Sequence, residues 1–224
     1  MNEEQMDQKR FEDLAAQSAG RGIFTFSDFL TPAQQDILLR GKYPVPASLY
    51  GGADGCERAV ARFGDPEDLG YEEPYPIVIL EMEPKSAKFA DRLTHRDVLG
   101  ALMNLGIKRQ VLGDIVIHGD RIYLFCLEKI ADHITSELKR AKHTDLVIKR
   151  VDALPEGAAF TLDEITVQCA SQRVDALISK VFNLSRSDAA ALFEAQKVFV
   201  NSRICEDGSR TCRDGDVISA RGYG

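Results

Sequence analysis

Tryptophan is absent from the 224-residue chain, and lysine plus arginine (28) fall short of aspartate plus glutamate (35). The resulting net charge of −7 argues, on its face, against a nucleic-acid partner. No apolar run is long enough to span a bilayer, so no membrane partner is expected. The opening "MNEEQMDQKRFEDL" is charged and lacks the apolar segment of a signal peptide. The five cysteines (Cys56, Cys126, Cys169, Cys205, Cys212) include no Cys-x-x-Cys pair. The four histidines (His95, His118, His133, His143) share no metal-ligand spacing. Together they predict reduced thiols in the cytoplasm, with no metal and no cofactor. No dinucleotide or methyl-donor glycine loop is present; "YGGADG" (50–55) is a lone cluster that reads as a turn. No nucleophile–base set assembles, so the chain is not expected to be an enzyme.

The deficit of positive charge is local. Residues 1–75 carry 7 basic against 14 acidic side chains, residues 76–164 carry 13 against 14, and residues 165–224 carry 8 against 7. Two stretches rich in Pro and Gly, "GDPEDLGYEEPYP" (64–76) and "DALPEGAA" (152–159), mark boundaries. They predict an acidic helical domain over 1–75, a middle domain over 76–155 and a C-terminal domain over 160–224. The fold class expected is α+β.

In the first part, Phe11, Leu14, Ala15 and Ser18 mark one helix face. Thr31, Pro32 and Gln34 form a helix start, and "CERAVARFG" (56–64) reads as a short helix. The middle part alternates its periods. "PIVILEME" (76–83) is a strand. "THRDVLGALMNLG" (94–106) is a helix capped by Thr94 and Asp97. "DIVIHGDRIYLFCLE" (114–128) is a hairpin turning at Gly119-Asp120. "KIADHITSELKRAK" (129–142) is a helix closed by Lys139, Arg140 and Lys142, a face read as solvated first and RNA-facing second, and "DLVIKRV" (145–151) is a strand. The order βαββαβ is ferredoxin-like, an arrangement shared by RNA-recognition modules and many unrelated proteins. Tyr123 and Phe125 share a strand face, as base-stacking pairs do. The glycines of the full aromatic motif are missing, so packing in the core is the favoured reading.

The last part reads as a strand "FTLDEITVQC" (160–169), a helix over 171–182 capped by Ser171, and a second helix over 185–195 with Ser185 and Asp188 at capping-box spacing. Strands follow over 197–204 and 216–224. The segments "QRVDALI", "LSRSDAAALFEAQKVFVN" and "GDVIS", in that order and spacing, resemble the S4-type RNA-binding domain, or alpha-L motif, over roughly 170–222. What the resemblance implies has a physical basis. A helix N-terminus offers free N–H groups to phosphate, Ser185 and Ser187 add hydroxyls, and Arg186 adds a bidentate fork. Arg173, Lys197, Asn201 and Arg203 flank it if the helices and hairpin pack together. Bases are then read little and backbone shape much. The plain alternative is a capping serine and a solvated arginine. Three positions depart from the pattern: Gln196 and Ser202 stand where glycine is usual, and Val174 where leucine is. Gln196 must then hold a helix-ending geometry that glycine adopts more cheaply.

"THRDVLGALMNLGIKRQVLGDI" (94–115), ahead of that C-terminal pattern, resembles the YlmH family. These are bacterial three-part proteins associated with cell-division genes and ribosome-related RNA binding. The resemblance extends candidate RNA contacts to His95 and Arg96 at a helix N-terminus, and to Lys108 and Arg109 past its other end, about 18 Å away. An ordinary capped helix and a solvated basic loop would look the same. By this resemblance the chain is expected to bind structured rRNA or tRNA on the large ribosomal subunit, in translation or stalled-ribosome quality control. Two rival classes are an RNA-modifying enzyme of the pseudouridine synthase or methyltransferase type and an acidic protein-interaction scaffold. "RVD" (173–175) favours the first only weakly, since Arg-x-Asp belongs to the S4-type pattern anyway.

Overall fold

Helix α1 (Glu3–Arg21) starts at a capping box in which Asn2 and Gln5 satisfy each other's backbone amides, and it stops at Gly22 in the left-handed region. Its buried face is Phe11, Ala15 and Ser18. Helix α2 (Pro32–Arg40) starts in the same way from Thr31 and Gln34, with Pro32 at the first helical position. These elements belong to a computed structural model that describes residues 2–86, 91–158, 164–201 and 203–223. The chain divides into two compact units, Met1–Leu162 and Asp163–Gly224.

In the first unit, β1 (Thr25–Leu30), β2 (Ala47–Tyr50) and β3 (Ala59–Phe63) form an antiparallel sheet in the order β1-β3-β2. A four-residue helix α3 (Pro66–Leu69) follows. The acidic first third is thus helix and sheet together, not helical throughout, and "CERAVARFG" is a central strand. The physical reason is that β3 serves two cores. Ala61 and Phe63 pack against α1 and α2, while Val60, one residue out of phase, packs on the opposite side with Phe29. A strand buried on both faces loses the apolar–polar alternation that would reveal it.

The second sheet joins β4 (Ile77–Pro84), β5 (Leu112–His118), β6 (Arg121–Leu127), β7 (Arg140–Ala141) and β8 (Thr144–Val151), in the antiparallel order β5-β6-β4-β8-β7. Helices α4 (His95–Asn104) and α5 (Glu128–Glu137) supply the crossovers. Without the short edge strand β7, this is the ferredoxin-like strand order. The helix expected over 129–142 ends at Glu137. Arg140 and Ala141 instead pair with Asp145 and Thr144 in a tight hairpin whose turn holds Lys142 at φ +54°. Leu80, Met82, Leu124 and Cys126 face α4 and α5, whereas Ile79, Tyr123, Phe125 and Leu127 face the first sheet. The unit is therefore layered α–β–β–α. The sheets approach closely: a Cβ on Gly113 would stand 2.7 Å from the Phe29 ring and 2.8 Å from Phe125 Cβ.

Polar groups tie the layers. Asp28 on β1 accepts from Arg10 of α1 (2.9 Å), Gln110 (3.0 Å) and Lys129 of α5 (2.8 Å). Burial pushes its carboxyl up, but Lys129 and Arg10 outweigh this and hold it below the ordinary value. Asp28→Asn is expected to destabilise by about 1–3 kcal/mol at neutral pH in urea unfolding, because three donors lose a charged acceptor. The folded carboxyl titrates below its unfolded value. The stabilisation is therefore full at neutral pH and is lost as pH falls below about 4 through the folded value. A wild-type–mutant difference that stays constant down to pH 3 would contradict this.

In the second unit, α6 (Val174–Val181) and α7 (Arg186–Glu194) precede a small antiparallel sheet of β9 (Val198–Val200), β10 (Arg203–Ile204) and β11 (Ile218–Ala220), in the order β10-β9-β11. Val174, Ile178, Leu192, Phe193, Val198, Val200 and Ala220 form its core, so the helices and hairpin do pack together. Of the strand expected over 160–169, residues 160–163 lie outside the described residues and 164–169 form no strand. The cap of α6 is Arg173, not Ser171; the Ser171 hydroxyl accepts from the Arg173 amide at 3.3 Å. Gln196 takes φ +52°, the geometry foreseen for a residue standing in for glycine, and Asn201 also takes φ +52°.

Candidate nucleic-acid interface

Helix α7 is the best-formed anion terminus in the second unit. Ser185 caps it by accepting from the Asp188 amide at 3.1 Å. The amides of Arg186 and Ser187, its first two positions, have no acceptor among the described residues. The hydroxyls are less free than the sequence implied. Ser185 Oγ donates to the Asp188 carboxylate (2.6 Å) and lies 2.8 Å from Ser187 Oγ. The N-terminus of α6 offers nothing comparable, since the Val174 and Asp175 amides donate to the carbonyls of Arg210 (2.9 Å) and Gly208 (3.0 Å).

Between the two helices lies a cleft of about 530 Å³ lined by Ser171, Arg173, Asp175, Ser179, Lys180 and Arg186, among others. Arg173 grips Asp175 with a two-pronged fork, Nε at 3.0 Å from one carboxylate oxygen and Nη2 on the other. That hydrogen bond, more than any other influence, holds Asp175 below the ordinary carboxylate range, and the field of Arg186 adds to it. The same pairing raises Arg173. One carboxylate thus neutralises Arg173 and fixes its orientation, while Arg186 remains exposed and enters no ion pair among the described residues. Lys180, which sequence reasoning missed, joins them. It stands seven residues after Arg173, two helical turns along the same side of α6, and that spacing was the available signal.

The structure brings Arg173 and Arg186 to one cleft but places Lys197, Asn201 and Arg203 on and beside the β9–β10 hairpin. Lys197 is exposed. The Asn201 side chain is occupied in the fold: it donates to Asp216 (2.8 Å) and accepts from the Val217 amide (2.9 Å). These two bonds close the turn and engage the amide oxygen and one of the two Nδ2 hydrogens.

In the first unit, His95 and Arg96 are exposed at the start of α4, whose Thr94–Asp97 capping box is formed as expected. Lys108 is exposed ahead of a single 3-10 turn, Arg109–Val111. Arg109 is half-buried and donates to the carbonyls of Leu112 (2.7 Å) and Gly113 (2.9 Å), so it braces the sheet. Tyr123 and Phe125 are buried, 1% and 0% exposed, beneath the first sheet. The face on which RNA-recognition modules stack bases is here a layer interface, in keeping with the core reading of this pair. Among the described residues, no group of three or more His, Cys, Asp or Glu is placed to hold a metal, and no helix is long and apolar enough to cross a membrane.

Fold and site together define an α+β protein with a ferredoxin-like sheet and exposed cations gathered at helix ends. Residues 71–154 match the family model described as "Putative RNA-binding domain in YlmH". The chain is 31% identical over 204 residues to the "Ribosome-associated protein quality control protein P2" of Bacillus subtilis (strain 168), covering 88% of this chain and 77% of that one. It is similar in fold to the solved "Cell division protein ylmH from Streptococcus pneumoniae", with a TM-score of 0.53 at 18% identity, over 67% of this chain and 92% of that one. The chain belongs to the YlmH family.

Proposed function

We propose that this chain is a non-catalytic, cytoplasmic RNA-binding protein that engages structured rRNA or tRNA on the ribosome and serves quality control of translation. The observation that carries the reading is the cleft between α6 and α7. There Arg186 and Lys180 stand exposed beside two helix N–H groups that have no acceptor among the described residues, with Arg173 fixed by Asp175. Such a site meets phosphate oxygens with charge and N–H donors together. It reads backbone and shape more than sequence, as suits structured RNA. The names borne by the relatives support the ribosomal setting.

Binding of the full chain to a fluorescein-labelled RNA hairpin, titrated across KCl concentrations, tests the site. Arg186→Ala is expected to weaken binding on every sequence and to lower the salt slope by about one unit; adding Lys180→Ala should lower it by about one more. An unchanged affinity and slope in the double variant would remove the cleft from the interface. Crosslinking in cells followed by sequencing tests the identity of the RNA, with recovery of rRNA or tRNA expected.

A further inference from the structure

The early end of α5 has a second consequence. Lys139, Arg140 and Lys142 do not extend a helix; they lie on the segment that leads into and around the β7 hairpin, and β7 packs against α4. This brings them beside Arg96, on the first turn of α4. The four cations line one open groove of about 630 Å³, which also runs past Asp97 and Glu137. The acids there are partly occupied. The Asp97 carboxylate is turned back into the cap, accepting from the Thr94 amide (2.9 Å) and hydroxyl (2.7 Å). Arg140 is paired with Asp145 at 3.0 Å. Arg96, Lys139 and Lys142 are exposed and enter no ion pair among the described residues.

Lys139 also donates to the Thr135 carbonyl (3.4 Å), and Arg96 and Lys142 share the field of Asp97; even so the lining sets four cations against two carboxylates, an excess that attracts anions. We propose that this groove binds the phosphodiester backbone of RNA, as a second contact distinct from the α6–α7 cleft. The lining runs along α4 from Arg96 to Asn104, about 12 Å of helix, longer than a single phosphate. It includes no aromatic side chain, so it has no platform for stacking bases and takes the backbone alone. An acidic protein segment would find the same charges, and the test separates the two. The inference rests on the reading of the chain as an RNA-binding protein.

The test uses the full chain and a fluorescein-labelled hairpin of twenty RNA base pairs. The variant Arg96→Gln/Lys139→Gln/Lys142→Gln leaves the Arg140–Asp145 pair and the capping box intact. Losing up to three phosphate contacts lowers the salt slope by about two to three units and weakens binding by between roughly tenfold and a hundredfold at 0.15 M KCl. The charge-retaining variant Arg96→Lys/Lys139→Arg/Lys142→Arg is expected to bind as wild type, with both variants melting within a few degrees of it. If the glutamine variant binds with unchanged affinity and slope while Lys180→Ala/Arg186→Ala loses affinity, the groove is overturned and the broader reading stands. If wild type itself fails to bind the hairpin at 50 mM KCl, both fall. If the glutamine variant keeps RNA but loses binding to a poly-glutamate probe, the groove belongs to an acidic protein and the inference is likewise overturned.

Discussion

Phe125→Ala is expected to destabilise the protein by about 3–5 kcal/mol, the range for emptying a buried aromatic site. Phe125 is fully buried between the two sheets with Phe29, Val60, Ile79 and Tyr123 around it. Gly52 and Gly113 both press against it; a Cβ on Gly52 would meet its ring at 2.4 Å. Nothing in that packing leaves room to collapse cheaply into the void. The milder Phe125→Leu should cost only about 1–1.5 kcal/mol, as near-conservative core exchanges do, and should leave RNA affinity unchanged. A pair that stacked on bases would behave in the opposite way, losing about 1–3 kcal/mol of binding per aromatic removed. Urea unfolding and the hairpin titration on the same two variants separate the cases. A stable Phe125→Leu protein with weakened RNA binding would show that the sheet face opens to RNA.

Arg58→Met is expected to cost about 2–4 kcal/mol, because it removes charged hydrogen bonds to two buried carbonyls, of which that of Leu112 keeps Arg109 as a second donor. Arg58 is 9% exposed. Its Nε donates to Leu112 O at 3.0 Å and its Nη2 to Phe29 O at 2.9 Å, so one guanidinium staples the first sheet to β5. Burial pulls it down to about 10, with the neighbouring charge of Arg109 acting in the same direction and Asp114 opposing. It remains cationic at neutral pH, and its partners are dipoles with no direct ion pair among them. Arg58→Lys should recover only part of the loss, since a single ammonium cannot reproduce a fork that spans two layers. A midpoint within experimental error of wild type for Arg58→Met would show that water replaces the staple.

The legible and illegible parts of the chain follow from these two residues. The middle domain could be read because its helices show a clean period and its strands are long apolar runs bounded by turn signals. Val98 and Leu102 mark one helix face, and β6 alternates between Leu124 facing the helices and Phe125 facing the other sheet. The helices of the second unit could be read because Ser185 caps one and Val174 and Ile178 line the other. Strand β3 could not, because each of its faces meets a different core. Arg58 at its edge looks like a surface arginine until the second sheet is in place. Site residues divided in the same way. Arg96 and Arg186 are exposed where their helix-terminal positions implied, whereas Arg109 and Asn201 were spent on carbonyls and a turn that only the folded chain reveals. The placement of Lys139, Arg140 and Lys142 beside Arg96 stayed hidden because "SELKRAK" has the composition of a helix end, and only the αL backbone at Lys142 turns it into a hairpin.

The layering also sets a schedule for the chain's own synthesis. The apolar underside of the first sheet, Phe29 and Val60, is covered by later residues that include Ile79, Val116, Tyr123, Phe125 and Leu127, and Asp28 waits for a lysine 101 residues downstream. At ordinary elongation rates that interval is roughly 5–20 s, far longer than hairpins and helices take to form. A nascent protein of this design spends that time with one greasy sheet face uncovered. Its acidic first third, with 14 carboxylates in 75 residues, supplies the charge that keeps such an intermediate from sticking to its neighbours on a crowded polysome.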